Sequence, residues 1–326
     1  MIIDVFCHIY PKNFLAALAQ MKSSLPHVRF SAEIKEGWED FVDLDLRLRH
    51  MDQYGVDVQV LSLATPAFEA ENPQEQIQLA KIANDGIAEI VAKNPKRFIG
   101  AATLPMLTID TALAELDRSV RDLGLRGVQL FSNIGGKPLD TPELVPFYEK
   151  VARYDVPIIL HPTSWNYYEW SREYGMWNIF GWPFDTSLAM GRIVFGGILE
   201  KFPTLKIVTH HLGAMAPYFV ERIRGFYDQG EQYPNLSTRA KFTRAPLDYF
   251  RLFYADTAVY GWKPALDCGL AFFGADHVLF ATDYPFGPDA GERYVRNTIQ
   301  SINELEISRE DKEKIFSGNA RRLFRI

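Results

Sequence analysis

Four short segments of this chain offer imidazole and carboxylate groups. They are Asp4-Val5-Phe6-Cys7-His8, Leu160-His161-Pro162, Thr209-His210-His211 and Ala281-Thr282-Asp283. Neutral imidazole together with carboxylate suits zinc or a similar first-row ion. Two histidines and one aspartate would leave such an ion open to water and substrate, as a catalytic site requires. The ion could polarise a substrate oxygen or acidify a bound water, while a histidine outside the ligand set moves a proton. Strand alternation places Asp4, Phe6 and His8 on one face and Cys7 on the other. His8 then aims into the site, and Cys7 packs outward as a small hydrophobe. His161 precedes Pro162, which ends strand pairing. A buried Asp283 must be hydrogen-bonded, paired or metal-bound, because a bare carboxylate is too costly. Of His210 and His211, at most one enters by regular strand geometry. His211 is the choice, although the turn could re-aim either. Asp256 is expected to make a structural hydrogen bond, and His27, His50 and His277 to lie on the surface or on helices.

These segments meet only if the elements carrying them form one barrel. Apolar runs occur at 2–6, 56–63, 98–104, 127–131, 157–161, 205–210, 252–256 and 278–282. Most are continuous rather than alternating, as strands buried on both faces require. Apolar residues spaced by three and four predict helices over 44–54, 73–94, 109–123, 143–154, 186–202 and 215–229. Strand alternating with helix suggests a distorted (β/α)8 barrel of the TIM type, one domain over residues 1–326. No G-x-G-x-x-G opens a helix after a strand, which argues against a dinucleotide-binding open sheet. Two long loops, about 20–41 and 162–183, would lie at the C-terminal barrel face, where active sites are built. The second is dense in aromatic residues. Trp165, Tyr167 and Trp170, together with Phe6, are the expected substrate-binding rings, although such a patch also suits a subunit interface.

The 326 residues are 47% hydrophobic and 23% charged, with 35 Lys+Arg against 41 Asp+Glu. A net charge of −6 without a basic stripe argues against nucleic acid. Two cysteines imply no disulfide framework and fit a reducing compartment. No apolar window is long enough to span a membrane, and no signal peptide precedes the first strand. A cytoplasmic protein acting on a small molecule is expected.

The same four segments, with Arg47-x3-Met51-Asp52-x2-Gly55-Val56-Asp57, Phe202-Pro203-x-Leu205-Lys206 and Gly318-Asn319-Ala320-x2-Leu323-Phe324, resemble the amidohydrolase superfamily. The similarity is to the group of aminocarboxymuconate-semialdehyde, γ-resorcylate and 5-carboxyvanillate decarboxylases. It runs the length of the chain and rests on the order and spacing of these motifs. It implies a distorted barrel with one divalent metal, usually zinc and in some members manganese, and a homodimer or homotetramer. Family ligands fall on His8, His161 and Asp283. The proton-transfer histidine of the family is followed by a Gly-containing turn with proline six places on. His211 with Gly213 and Pro217 matches that spacing. Relatives carry His or Glu where Phe6 stands, so a three-ligand site, weaker metal binding, a substrate-completed shell and the absence of metal all remain open.

The resulting expectation is a metal-dependent, non-oxidative decarboxylase or a hydrolase of a small carboxylated aromatic or enol-type compound. In decarboxylation, Asp283 or His211 protonates the ring carbon. In hydrolysis of a lactone, ester, thioester or β-keto C–C bond, a metal-bound water attacks, with Asp283 as base and His211 as polarising acid. A metal-free binding or regulatory barrel is the remaining class. Arg47, Arg192 and Arg222 could hold a substrate carboxylate or form helix-surface salt bridges.

Overall fold

A computed structural model of the chain describes residues 1–20, 39–64, 73–163, 169–232 and 242–326. Eight strands pair in chain order: β1 Ile3–Ile9, β2 Val58–Leu63, β3 Phe98–Ala102, β4 Gly127–Phe131, β5 Ile158–His161, β6 Ile207–Thr209, β7 Tyr254–Asp256 and β8 Val278–Leu279. All pairings are parallel; β4 and β5 run in register from Val128 opposite Ile158 to Phe131 opposite His161. Backbone bonds close the ring. Val5 N–H donates to the Phe280 carbonyl at 3.0 Å, Asp283 N–H to Phe6 at 3.1 Å and His8 N–H to Tyr284 at 2.7 Å. The apolar runs are continuous because the strands are buried on both faces. Val5, Phe6, Val60, Ile159 and Leu279 share the inner cluster. Cys7, Leu61, Leu130 and Ile207 share the larger cluster that also holds helix residues such as Met51 and Ile87. Cys7 therefore faces outward. Burial, followed by the Asp4 carboxylate, pushes its thiol well up and keeps it un-ionised.

The last strands are shorter than their apolar runs. Past Leu279, side-chain bonds join the backbone bonds to β1. Ala281 N–H donates to Thr257 Oγ1 at 2.9 Å and Thr282 N–H to Asp4 Oδ1 at 3.1 Å. Thr282 Oγ1 reaches Asp4 Oδ2 at 2.5 Å. Asp4 thus ties the β8 end to β1, and the chain turns there with Asp283 at φ +67°. In β1 the register slips between Asp4 and Cys7.

Helices α2 Leu44–Tyr54, α3 Pro73–Lys93, α4 Ile109–Arg121 and α5 Val145–Tyr154 follow the periodic segments, and α1 Lys12–Gln20 is a helix the periodicity did not indicate. Asp43 caps α2, accepting from Asp45 N at 2.9 Å and Leu46 N at 3.0 Å, and left-handed Gly55 closes it. The predicted helix over 186–202 is two helices, α6 Trp182–Phe195 and α7 Ile198–Lys201. They separate at Gly196, where any Cβ would collide with Asp140. The helix expected over 215–229 begins late, as α8 Val220–Gln232. Its expected first turns are occupied by a tight bend after β6. Further on, α9 Lys263–Phe273 packs on β7, α10 Glu292–Asn303 packs on α9 and α2, and the C-terminal helical turns Lys314–Gly318 and Asn319–Phe324 cover β8. Much of the 20–41 loop lies outside the described residues. Of the 162–183 loop, residues 162–163 and 169–183 are described, the latter mostly helical turns, a 3-10 segment Glu169–Gly175 followed by Trp177–Gly181. Among the described residues no helix is long and apolar enough to cross a membrane.

Candidate functional site

β1 runs one residue beyond His8, which is wholly buried at the barrel mouth. His8 Nε2 lies 3.2 Å from Asp283 Oδ1, and its Nδ1 lies 3.3 Å from Ser62 Oγ. An Nε2–H donating to the carboxylate leaves Nδ1 to accept from Ser62. The second oxygen of Asp283 accepts from Tyr260 OH at 3.1 Å. Burial, followed by the Asp283 carboxylate, pushes the Tyr260 phenol well up, so it stays a donor. Tyr260 is itself stacked on Tyr294, ring centroids 3.9 Å apart. Asp283 is thereby suspended between two donors, the compensation a buried carboxylate requires.

β5 ends on His161, whose Nδ1 donates to the Pro162 carbonyl at 2.7 Å. That bond assigns the lone pair to Nε2. Burial, then the neighbouring His8 and His210, holds His161 well below the ordinary imidazole range. The His8 and His161 ring centroids are 5.2 Å apart.

Both histidines after β6 reach the site. His210 is wholly buried, and its Nδ1 meets Asp256 Oδ2 at 2.5 Å. Asp256 Oδ1 accepts from His211 N and Ala258 N, each at 2.9 Å. The structural hydrogen bond expected of Asp256 is thus an orienting one for His210. His210 Nε2 is buried without a hydrogen-bond partner. Burial lowers the pKa of His210, outweighing the opposing effect of Asp256. His211 is half-buried, with Nδ1 3.0 Å from the Ala258 carbonyl and its ring 5.9 Å from Tyr260. Positive φ at His211, Leu212, Gly213 and Ala214 permits two adjacent rings to point the same way. Strand alternation alone could not reveal this bend, and it is why the sequence reading chose His211 over His210 where both reach the site.

Phe6 sits among these rings. It stacks on His210 with centroids 3.3 Å apart and planes 11° from parallel. Its centroid is 4.5 Å from His8, 5.3 Å from His161 and 6.2 Å from His211. The expected ligands His8, His161 and Asp283 are therefore neighbours of the right types. They do not converge on one point: among the described residues no three His, Cys, Asp or Glu side chains are arranged to hold a metal ion. His8 and Asp283 satisfy each other, and an apolar ring stands beside them. The residues present thus do not fit a bound divalent ion in this arrangement.

Of the expected substrate-binding rings, Phe6 is at the centre, Trp165 and Tyr167 lie outside the described residues, and Trp170 is 66% exposed. Trp182 is the residue of that aromatic stretch seen to approach the histidines, 6.1 Å from His161 and backed by Trp177 at 5.3 Å. Arg47 is wholly buried and positions backbone: its Nη2 donates to His8 O at 2.5 Å and Asp40 O at 2.8 Å. Arg192 pairs with Asp140 at 2.7 Å, and Arg222 lies over the Phe226 ring at 4.9 Å.

Comparison with known proteins matches residues 3–326 to the amidohydrolase family Amidohydro_2. The chain is 34% identical to the 2-amino-3-carboxymuconate-6-semialdehyde decarboxylase of Dictyostelium discoideum, over 85% of this chain and 75% of that protein. It is 35% identical to the γ-resorcylate decarboxylase of a Rhizobium species, over 86% of this chain and 87% of that protein. Its fold is similar to that of a solved dihydroxybenzoic acid decarboxylase from a Polaromonas species, with bound manganese and the inhibitor 2-nitroresorcinol. The TM-score is 0.76 at 29% identity, over 99% of this chain and 96% of that one.

Proposed function

The chain belongs to the amidohydrolase family and is an enzyme of the carboxy-lyase kind; from that premise we propose that it decarboxylates, without oxidation, a small aromatic acid carrying a ring hydroxyl. The observation that carries this reading is Asp283, held between His8 Nε2 and Tyr260 OH at the barrel mouth. In this reaction the ring carbon bearing the carboxylate takes up a proton. The C–C electron pair then returns to the ring as CO2 leaves, so one proton enters and one CO2 departs. Asp283 in its acid form, loaded with a proton taken up from solvent as substrate enters, is the proposed proton donor, and the hydrogen bonds from His8 and Tyr260 stabilise the carboxylate left after the transfer. His211, with Nδ1 engaged by Ala258 O, is the second candidate through its Nε2. Trp182, backed by Trp177, would cover the substrate ring. Burial of the imidazoles keeps bulk water from competing for these hydrogen bonds.

The solved relative carries manganese, which supports a divalent ion in the family and gives no support to zinc here. The proton steps above use only groups of this chain. Hydrolysis of a lactone, ester or thioester is the competing reading. A panel of hydroxybenzoates, carboxymuconate-like acids, lactones and acyl thioesters, incubated in D2O, tests it. Evolution of CO2 with one deuterium at the vacated ring carbon is expected. Acid release from lactone or thioester, with no CO2 from any carboxylate, would refute the proposal.

A further inference from the structure

Phe6 places this chain at odds with its manganese-holding relative. The ring is buried and touches every imidazole of the strand ends, face to face with His210 and tilted or edge-on to His8 and His161. A divalent ion needs nitrogen and oxygen donors at about 2.0–2.2 Å, with water or substrate completing its shell. A phenyl ring supplies no lone pair and excludes the water that would. His8 Nε2 is turned to Asp283 Oδ1 at 3.2 Å, and no three donors meet among the described residues. His210 Nε2 is buried and has no hydrogen-bond partner among the described residues, its ring face is covered by Phe6, and it does not converge with two other donors.

We propose that the Phe6–His210 stack occupies the place of a resident metal, so that this barrel works on its substrate without one. The His8–Asp283–Tyr260 hydrogen bonds hold the catalytic carboxylate in the ion's stead. The reaction rests on the decarboxylase reading above; the metal content does not.

The test starts with wild-type protein expressed in medium supplemented with manganese and zinc. Metal is quantified by mass spectrometry, and manganese binding is followed by electron paramagnetic resonance. Below about a tenth of an equivalent is expected, against near-stoichiometric loading for a tight catalytic site. Phe6→His should raise manganese content at least severalfold. Phe6→Ala, which opens space without adding a donor, should remain as poor as wild type. Circular dichroism melts establish that each variant is folded. Wild-type protein holding close to one equivalent would overturn the proposal, whatever the variants do. So would a folded Phe6→His variant that stays metal-poor, because Phe6 would then not be what excludes the ion. Turnover abolished by EDTA and restored by manganese would overturn it while leaving the decarboxylase reading intact. Absence of turnover on any carboxylate would instead sink that reading, and the metal content would still decide this one.

Discussion

Replacing Asp4 by Asn should remove one component of the acid dependence of stability. Asp4 is wholly buried where β1 meets the β8 end, and burial raises its carboxyl from the ordinary 3.8 to about 7 despite hydrogen bonds from Thr282, Cys7 and Phe6. The folded chain therefore keeps this proton up to about pH 7, whereas the unfolded chain releases it near 3.8. Between these values the native state binds more protons than the unfolded one, so stability falls as pH rises. The contribution is fully present below pH 3.8 and is lost by about pH 7. At about 1.4 kcal/mol for each pH unit, the loss amounts to ~4 kcal/mol. Asparagine keeps the shape and does not titrate. Urea unfolding of wild type and Asp4→Asn, followed by tryptophan fluorescence at fixed pH values from 4.5 to 8, isolates the effect, because other titrating groups cancel in the difference. The variant should gain on wild type steadily through this window and level off above pH 7. A difference independent of pH would refute the reasoning, since it would mean that Asp4 is ionised throughout and that Thr282 and the backbone donors outweigh burial.

Other perturbations separate chemistry from architecture. Asp283→Asn should lower kcat roughly 10²- to 10⁴-fold, the usual worth of a positioned proton donor, with the melting temperature close to wild type; steady-state CO2 release measures it. Tyr260→Phe removes one of the two donors to Asp283 and should shift the pH profile of kcat while leaving KM within a few-fold, as rate measurements across pH would show. Gly269→Ala would drive a methyl group into Leu212, inside the bend that aims His210 and His211. It should cost about 1–3 kcal/mol in a denaturant melt, as overpacking does, together with a loss of kcat. Asp43→Ala removes the cap of α2 and should cost about 1 kcal/mol without touching turnover.

Much of the barrel was legible because strands covered on both faces must be continuously apolar, and helices on its rim must be apolar at every third or fourth place. His8, His161 and Asp283 could be located as strand-end residues from the same pattern, and the motif spacing pointed to the family. The failures share one cause: interactions between residues distant in the chain. The regular β8 ladder ends at Leu279 because the side chains of Thr257 and Asp4 accept from Ala281 N–H and Thr282 N–H, while Phe280, Asp283 and Tyr284 stay bonded to β1 through the backbone. The helix over 186–202 breaks at Gly196 because Asp140 approaches from another loop. His210 enters the site beside His211 because four residues adopt positive φ, a choice that packing against Gly269 and hydrogen bonds from His211 to Asp256 and Ala258 support. What the sequence determined by itself was the set of elements and the chemical types at their ends, since burial constrains residue type locally. Only the tertiary structure decided that Phe6 lies against His210, that Asp283 is shared by His8 and Tyr260, and hence how the site is built. The Phe6–His210 and His8–Asp283 contacts join residues some 200 or more positions apart, and Tyr260 and Asp283 are 23 apart, where local periodicity carries no information.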